Sequence, residues 1–503
     1  MVDWAALVEG IGLLMNWQIP VVIFIGMLLG LVIGVIPGMT AALGIAVLLP
    51  LTFKMDPLVA LILLTAVYTG SLTGGGILAI LINTPGTPGA VATTFDGYPM
   101  TQKGMQNEAL GLQITASIIG GFISYIFLLF LIKPMAWLAL QFGPSEMLML
   151  TIFVLIVIGT LHGEHFSRTL FAGIFGLLLS TVGTSTSTGV VRGTMGIDAL
   201  EDGFPLILAI IGMFAIPEMM NLVTRQAISE VAIGKGQNLG KLLKGVRMAF
   251  RYRLTTIRGS LIGVFIGLLP AAGATLASLL SYSFAQKGAK PDQIFGEGEP
   301  EGVVAAESAN NASEGGSMAC LLALGIPGSA ATAVVLGGFM LHGLVPGPGL
   351  FRDNGPLVYG LICGNILQML VLGFFALIVA FYVARMVVVP TEVLIPSLIV
   401  VVALGVFSFR NLFLDVGILF SFGIIGYFFK RYHFTLVSFM IGLFLGRQID
   451  NEVYRFVALF GNDPWAVFKR PITVGFIILI IVTLTFWVRG LLKKRAQDSL
   501  QND

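Results

Sequence analysis

Charge is what this chain of 503 residues has least of: 11% of it is Asp, Glu, Lys or Arg, against 56% hydrophobic residues. That is too little to cover a soluble surface of this size, and a mean hydropathy of +0.95 makes lipid the solvent for much of it. A formal net charge of only +2, with basic residues scattered or confined to loops, leaves no case for nucleic-acid binding. Cysteine is nearly absent: Cys320 and Cys363 both lie in apolar stretches without metal-ligand spacing, which reads as ordinary packing. The four histidines, His162, His165, His342 and His433, fall near apparent segment ends. With no His-Glu-x-x-His, no Gly-x-Ser-x-Gly and no helical register between His and Cys, the sequence argues against an intramembrane enzyme. His162-Gly163-Glu164-His165 carries possible ligands but ends an apolar run before Arg168, so it reads as a loop. Residues 1–17 lack a basic start and a small-residue cleavage site; Asp3, Trp4, Glu9 and Trp17 suit a retained segment at the membrane interface.

What the chain does have is apolar length. Stretches 110–132, 148–161, 358–384, 394–406 and 472–488 are near or somewhat below the roughly 20 residues a spanning helix needs. The expectation is an all-α polytopic membrane protein of about a dozen transmembrane helices, some short or broken.

The chain also repeats itself. Gly30-Leu31-Val32-Ile33-Gly34-Val35-Ile36-Pro37 returns 233 positions later as Gly263-Val264-Phe265-Ile266-Gly267-Leu268-Leu269-Pro270. Ser71-Leu72-Thr73-Gly74 with Pro85-Gly86-Thr87 answers Ser313-Glu314-Gly315-Gly316 with Pro327-Gly328-Ser329, at a spacing of 242. Pro144-Ser145-Glu146 and Gly159 match Pro390-Thr391-Glu392 and Gly405; Phe204 and Gly212 match Phe434 and Gly442. A duplicated membrane protein with Gly/Pro breaks at equivalent points resembles a secondary transporter.

Between the copies lies the longest polar interruption: Arg225, Lys235, Lys241, Lys244, Arg247, Arg251, Arg253 and Arg258 against Glu230 alone. Positive loops stay in the cytoplasm, which places this linker there, and Arg489, Lys493, Lys494 and Arg495 place the C-terminal tail there too. The division expected is a first repeat over 1–224, a basic linker over 225–258, a second repeat over 259–446, and a loop, final helix and tail over 447–503. The last helix has no first-half counterpart, so each repeat crosses an odd number of times and the two are inverted. That puts Lys469 and Arg470 outside, against the usual charge bias.

Inside hydrocarbon, proline frees a carbonyl and glycine allows turns, so helix breaks survive where protein or water satisfies the exposed groups. Candidate breaks are 34–40 and 83–89 in the first half, 267–275 and 325–329 in the second. Half-helix N-termini there offer N–H groups to a carboxylate, and opened carbonyls suit a cation. The candidate substrate-binding residues are Pro37, Gly38, Thr40, Asn83, Thr84, Pro85, Gly86, Thr87, Asn310, Asn311, Pro327, Gly328 and Ser329. Candidates for ion coupling are Ser71, Thr73, Thr275, Glu307, Ser313 and Glu314, the ion being Na⁺ or H⁺, with no other cofactor. The plain alternative for each hydroxyl is a bond to its own helix backbone.

Glu307, Asn310, Asn311 and Glu314 share one face if their segment is helical, while the matching first-half segment, 68–76, is uncharged. Such divergence suits one copy handling an ion; a helix end at the interface explains the acids as well. Asp96 in Phe95-Asp96-Gly97-Tyr98-Pro99 reads as a surface turn, and Glu146 and Glu392 as first-turn acids behind proline. Asp415 lies in an apolar helix with its role open.

At 30–37, 83–100 and above all 301–349 the sequence resembles the TctA family, the large permease subunits of tripartite tricarboxylate transporters. The strings that carry the likeness are Asp96-Gly97-Tyr98-Pro99-Met100, Glu307-Ser308-Ala309-Asn310-Asn311-Ala312 and Leu324-Gly325-Ile326-Pro327-Gly328-Ser329-Ala330. The resemblance implies a multi-pass permease of the bacterial inner membrane. It also implies partners, a small four-helix TctB-like membrane subunit and a periplasmic TctC-like solute-binding protein, and cation-driven uptake of carboxylates such as citrate. By analogy with other carboxylate carriers, 83–89 and 325–329 would be tips of re-entrant hairpins. The rival from another class is a passive anion channel, since breaks and repeats occur there too.

Overall fold

The structure, a computed structural model, describes residues 2–185, 187–224, 238–291, 293–382, 391–461, 463, 465, 468 and 470–501. Their helices are α1 (Trp4–Leu13), α2 (Gln18–Val35), α3 (Ala41–Leu48), α4 (Pro57–Ile82), α5 (Val91–Gln102), α6 (Gln106–Ala139), α7 (Pro144–Leu161), α8 (Phe166–Ser180), α9 (Leu206–Thr224) and α10 (Leu239–Ala249). They continue as α11 (Arg253–Gly267), α12 (Gly273–Lys287), α13 (Pro300–Leu324), α14 (Ala330–Leu341), α15 (Pro348–Asp353), α16 (Gly355–Tyr382), α17 (Thr391–Arg410), α18 (Phe413–Arg431), α19 (Leu436–Phe460) and α20 (Pro471–Gln501). Among the described residues the sheet structure is a single hairpin, β1 (Gly183–Thr184) antiparallel to β2 (Val191–Arg192). The chain has the all-α polytopic membrane class its composition requires.

Among the described residues seven helices, α2, α4, α6, α7, α16, α18 and α20, are long and apolar enough to cross a bilayer. Six further apolar helices are shorter among those residues, two of them cut by the breaks: Ala41–Thr52 and Ala330–Leu341 are what remains beyond 34–40 and 325–329. Helix α13 runs for 25 residues but carries too many polar side chains to count as apolar.

Contacts group the chain into two compact units, one of Met1–Trp137 with Ile207–Tyr427, the other of Leu138–Leu206 with Phe428–Asp503. The first is built on two helix pairs, α2 with α4 and α11 with α13, pressed together backbone to backbone. A methyl group on Gly30 would collide with the Val67 carbonyl and one on Gly34 with that of Ser71. Likewise Gly263 abuts the Ala309 carbonyl, 2.5 Å from where a Cβ would stand, and Gly267 that of Ser313. The ends of α4 and α13 follow the same local rules. Each begins with an acid and a proline: Asp56 accepts the Leu58 N–H (3.0 Å) ahead of Pro57, and Glu299 that of Glu301 (3.3 Å) ahead of Pro300. Each ends in a left-handed residue, Asn83 at φ 57° and Gly325 at φ 73°. Packing then crosses over: α5 lies on α12 and α13, and α14 on α3 and α4.

Helix α1 packs on α16, where Gly10 lets the Pro356 carbonyl come within 2.6 Å of a would-be Cβ, and leaves Trp4, Met15 and Trp17 exposed. Lys133 hydrogen-bonds Asp3 at 3.1 Å and holds its carboxyl below the usual carboxylate range. The basic linker is in part helical. Asn238 caps α10 by accepting the Lys241 N–H (3.2 Å), and Gly245 seats the helix against Glu108 of α6. Arg225, Glu230 and Lys235 lie outside the described residues, as do Lys469, Pro390 and the side chains of Glu164, Glu392, Lys493, Lys494 and Arg495. Asp415 is fully buried in the first turn of α18 and accepts Arg410 Nε at 2.8 Å, which accounts for a charge in an apolar helix.

In the second unit, α7 packs on α20 and α8 on α19. Glu146 does what its place behind Pro144 predicts, accepting the Gly143 N–H at 2.9 Å, and it also receives Thr473 Oγ1 (2.6 Å) and Arg470 (3.0 Å). The starts of α7 and α20 therefore lie at one end of this unit. Arg470 does not stand there as bare positive charge; its partner is a buried carboxylate. The β-hairpin is tied to α19 through Ser185 and Arg192, both on Asp450.

Candidate functional site

The polar run of α13 is the centre of the first unit. Glu307, Asn310, Asn311 and Glu314 are each 0% exposed and lie in the middle of the helix, which rules out an interfacial helix end. A charged group there survives only if neighbouring helices solvate it. For Glu307 four donors do so: Thr93 of α5 on Oε1 (2.5 Å), and Ser117 (2.9 Å), Gln113 (3.3 Å) and Asn310 (3.5 Å) on Oε2. Glu314 receives Thr69 of α4 and Tyr125 of α6, both at 2.7 Å and both on Oε1; its Oε2 has no hydrogen-bond partner among the described residues. Between the acids, Asn311 donates to Thr73 Oγ1 at 2.9 Å. The uncharged first-half segment thus faces the charged one rather than standing apart from it. A smaller polar contact joins α4 to α16, where Thr65 donates to Asn365 (2.7 Å) and Gln368 to the Ile62 carbonyl (3.0 Å).

The four breaks meet this centre in pairs. Past α2 the chain turns at Gly38, φ 88°, and Thr40 caps α3 by accepting the Leu43 N–H (3.2 Å). Past α11 it turns at Ala271 and Gly273, both at positive φ, into α12. Loop 83–89 lies on the first break, with Gly86 against the Gly34 carbonyl and Thr87 against Gly75. Loop 325–329 lies on the second, where Gly328 holds a would-be Cβ 2.5 Å from the Gly267 carbonyl. Gly89 and Ser329 carry these loops across: Gly89 abuts the Asn310 side chain and Ala274, and Ser329 meets the Tyr68 hydroxyl of α4 at 3.0 Å.

Not every candidate has a side chain to offer. Thr40 and Ser329 are spent as helix caps, Ser313 donates to the Asn310 carbonyl (2.7 Å), and Thr84 reaches only the Ile82 carbonyl (3.4 Å). Thr275 is half-buried, and Ser278 bonds its carbonyl (3.0 Å). Asn83 is exposed, Pro37, Gly38 and Pro85 are half-buried, and Gly86, Pro327 and Gly328 are buried. In contrast Ser71 Oγ, Thr87 Oγ1, Asn310 Oδ1 and Asn311 Oδ1 are buried oxygens without a hydrogen-bond partner among the described residues.

Asp96 corrects an expectation. It lies inside α5, 0% exposed, not in a surface turn. Its Oδ1 accepts the backbone N–H groups of Gly296 (2.9 Å), Gly298 (2.8 Å) and Glu299 (2.8 Å), and Tyr282 donates to Oδ2 (2.9 Å). Three amides need an anion more than a turn does, and the Gly-Tyr-Pro after it sits within the helix. His162 ends α7 with Nδ1 2.8 Å from the Ile158 carbonyl. Among the described residues no three His, Cys, Asp or Glu side chains gather as a metal site.

Sequence reasoning missed the residues that solvate the acids: Thr69, Thr93, Gln113, Ser117 and Tyr125. A signal existed in α6, where Gln113 and Ser117 stand four apart, on one face of a long and mostly apolar helix.

Broken helices folded around two buried carboxylates in a multi-pass helical chain define a membrane transport protein. Residues 21–441 match the family described as the tripartite tricarboxylate transporter TctA family, and the chain belongs to it. It is 33% identical over 467 residues to an uncharacterized 52.8 kDa protein of Agrobacterium vitis from the TAR-I ttuC′ 3′ region, covering 92% of each chain. An uncharacterized protein from the TAR-II ttuC′ 3′ region of the same organism is 29% identical over 242 residues, 48% of this chain and 100% of that one. No solved structure matches.

Proposed function

We propose that this chain is the large permease subunit of a binding-protein-dependent secondary transporter of the bacterial inner membrane. It imports tricarboxylates or related carboxylates, citrate among them, by cation symport with alternating access between two inverted repeats. Its partners in this reading are a small TctB-like membrane subunit and a periplasmic TctC-like solute-binding protein. The observation that carries the reading is Glu314: a fully buried acid with one oxygen bonded twice and the other, among the described residues, not at all. A carboxylate left half-solvated in the membrane core is what a cation, Na⁺ or H⁺, would complete. Orphaned oxygens on Ser71, Thr87, Asn310 and Asn311 add neutral ligating capacity nearby in the same unit. The substrate's negative charge would meet the first-turn N–H groups that the caps leave over at the starts of α3 and α14, those of Ala41, Ala42, Ala330 and Ala331.

The test is uptake of a labelled carboxylate panel by vesicles containing this permease and both partners, under an imposed Na⁺ or H⁺ gradient. Uphill accumulation of one acid, dependent on the binding protein and on one gradient, is the expected result. Equilibration indifferent to both gradients would mean a passive anion channel and would refute symport.

A further inference from the structure

On the outside of the α11–α12 pair, away from the polar centre, runs a groove of about 460 Å³ whose walls include Leu254, Leu261, Phe265, Leu280 and Phe284. Its origin lies in the packing of α11. Gly259, Gly263 and Gly267 press one face of that helix onto α13, so the large side chains must gather on the opposite face: Ile257, Leu261 and Phe265 are 47%, 38% and 56% exposed. One cation stands in this wall, Arg258. Its guanidinium reaches the end of α12, 3.8 Å from where a side chain on Gly288 would begin, next to Lys287. Arg258 has no ion pair or hydrogen bond among the described residues, whereas the acids nearest the start of α11 are engaged on another side, Glu299 by Tyr252 and Glu301 by Thr255. Arg251 and Arg253 add exposed positive charge at the same end.

We propose that this groove is a site for one anionic phospholipid, its phosphate held by Arg258 and Lys287 and an acyl chain laid along Leu261 and Phe265. The dimensions fit: eight residues from Arg258 to Ile266 rise about 12 Å, close to one leaflet's half of a roughly 30 Å hydrocarbon core. The charge fits as well, because an arginine unpaired among the described residues, over an apolar trough at the basic end of α11, complements a lipid phosphate and repels nothing in its tail. The site is independent of the transport reading.

The test is native mass spectrometry of the purified full chain titrated with phosphatidylglycerol and phosphatidylcholine of identical acyl chains. Phosphatidylglycerol should bind at least several-fold more tightly. Arg258→Gln and Lys287→Gln should each weaken it about fivefold, the effect of one basic residue at a lipid surface. Leu261→Trp, which fills the trough without touching charge, should weaken both lipids, and Lys54→Gln should change neither. Thermal unfolding in detergent verifies that each variant is folded. Equal affinity for the two lipids, or indifference to Arg258→Gln in a folded protein, would overturn the proposal. So would undiminished binding of glycerophosphoglycerol, which lacks the tails, or displacement of the lipid by the small membrane subunit.

Discussion

Thr69 of α4 donates a 2.7 Å hydrogen bond to Glu314 of α13, across 245 positions of sequence. Tyr125 donates to the same oxygen, so the whole hydrogen-bonding load of this carboxylate falls on Oε1. Glu307, seven residues earlier, is loaded on both oxygens by four donors. The two acids should therefore respond differently to the loss of charge.

Glu314→Gln keeps an acceptor for Thr69 and Tyr125 and places its amide where no donor competes. Stability should change by less than about 1 kcal/mol, while gradient-driven uptake is lost. Thermal unfolding in detergent alongside vesicle uptake measures both.

Glu307→Gln sets an NH₂ group among donors, and Gln113 cannot reverse its amide without giving up the Thr73 carbonyl it also holds at 3.0 Å. A loss of about 1–3 kcal/mol is expected, seen as a lowered unfolding midpoint and reduced membrane yield. An unchanged midpoint would mean that these bonds do not carry the fold.

Asp96→Ala removes the acceptor of three backbone amides and of Tyr282, and should cost about 3 kcal/mol. Asp96→Asn keeps Oδ1 and should cost less. Limited proteolysis of the segment before α13 reads the difference: cleavage there should rise strongly in the alanine variant and weakly in the asparagine variant.

Arg470→Ala strands Glu146, which is 0% exposed, with only Thr473 and the Gly143 amide as donors. About 2–3 kcal/mol should be lost, less than for a fully buried pair because Arg470 is partly exposed. The double variant with Glu146→Gln should recover most of it, a comparison that a thermal unfolding cycle makes directly.

Much of this was legible before the structure. Apolar runs located α6, α7, α16, α17 and α20, and proline and glycine marked where α2, α4, α11 and α13 end, because membrane helices need length and breaks need those residues. The polar run of α13 was also visible as a face. Its partners were not: nothing local in Thr69 or Thr93 says that each will meet a glutamate more than 200 residues away. Asp96 misled because Asp-Gly-Tyr-Pro is turn chemistry in isolation, while the three amides that hold it in a helix come from 296–299. Which of the expected helices would be short was harder to read, because apolar runs show in composition while the point at which a helix stops depends on caps and turns.

The glycine contacts between α2 and α4, and between α11 and α13, have a consequence for motion. Interlocked side chains can slip by changing rotamer, but a carbonyl lodged against a glycine has no rotamer to change, and a shift of one residue would drive Val35 or Leu268 into the space that Gly34 or Gly267 leaves. Each pair is therefore stiff against sliding, and the chain is free to bend only where helix gives way to turn, as it does at 36–40 and 268–272.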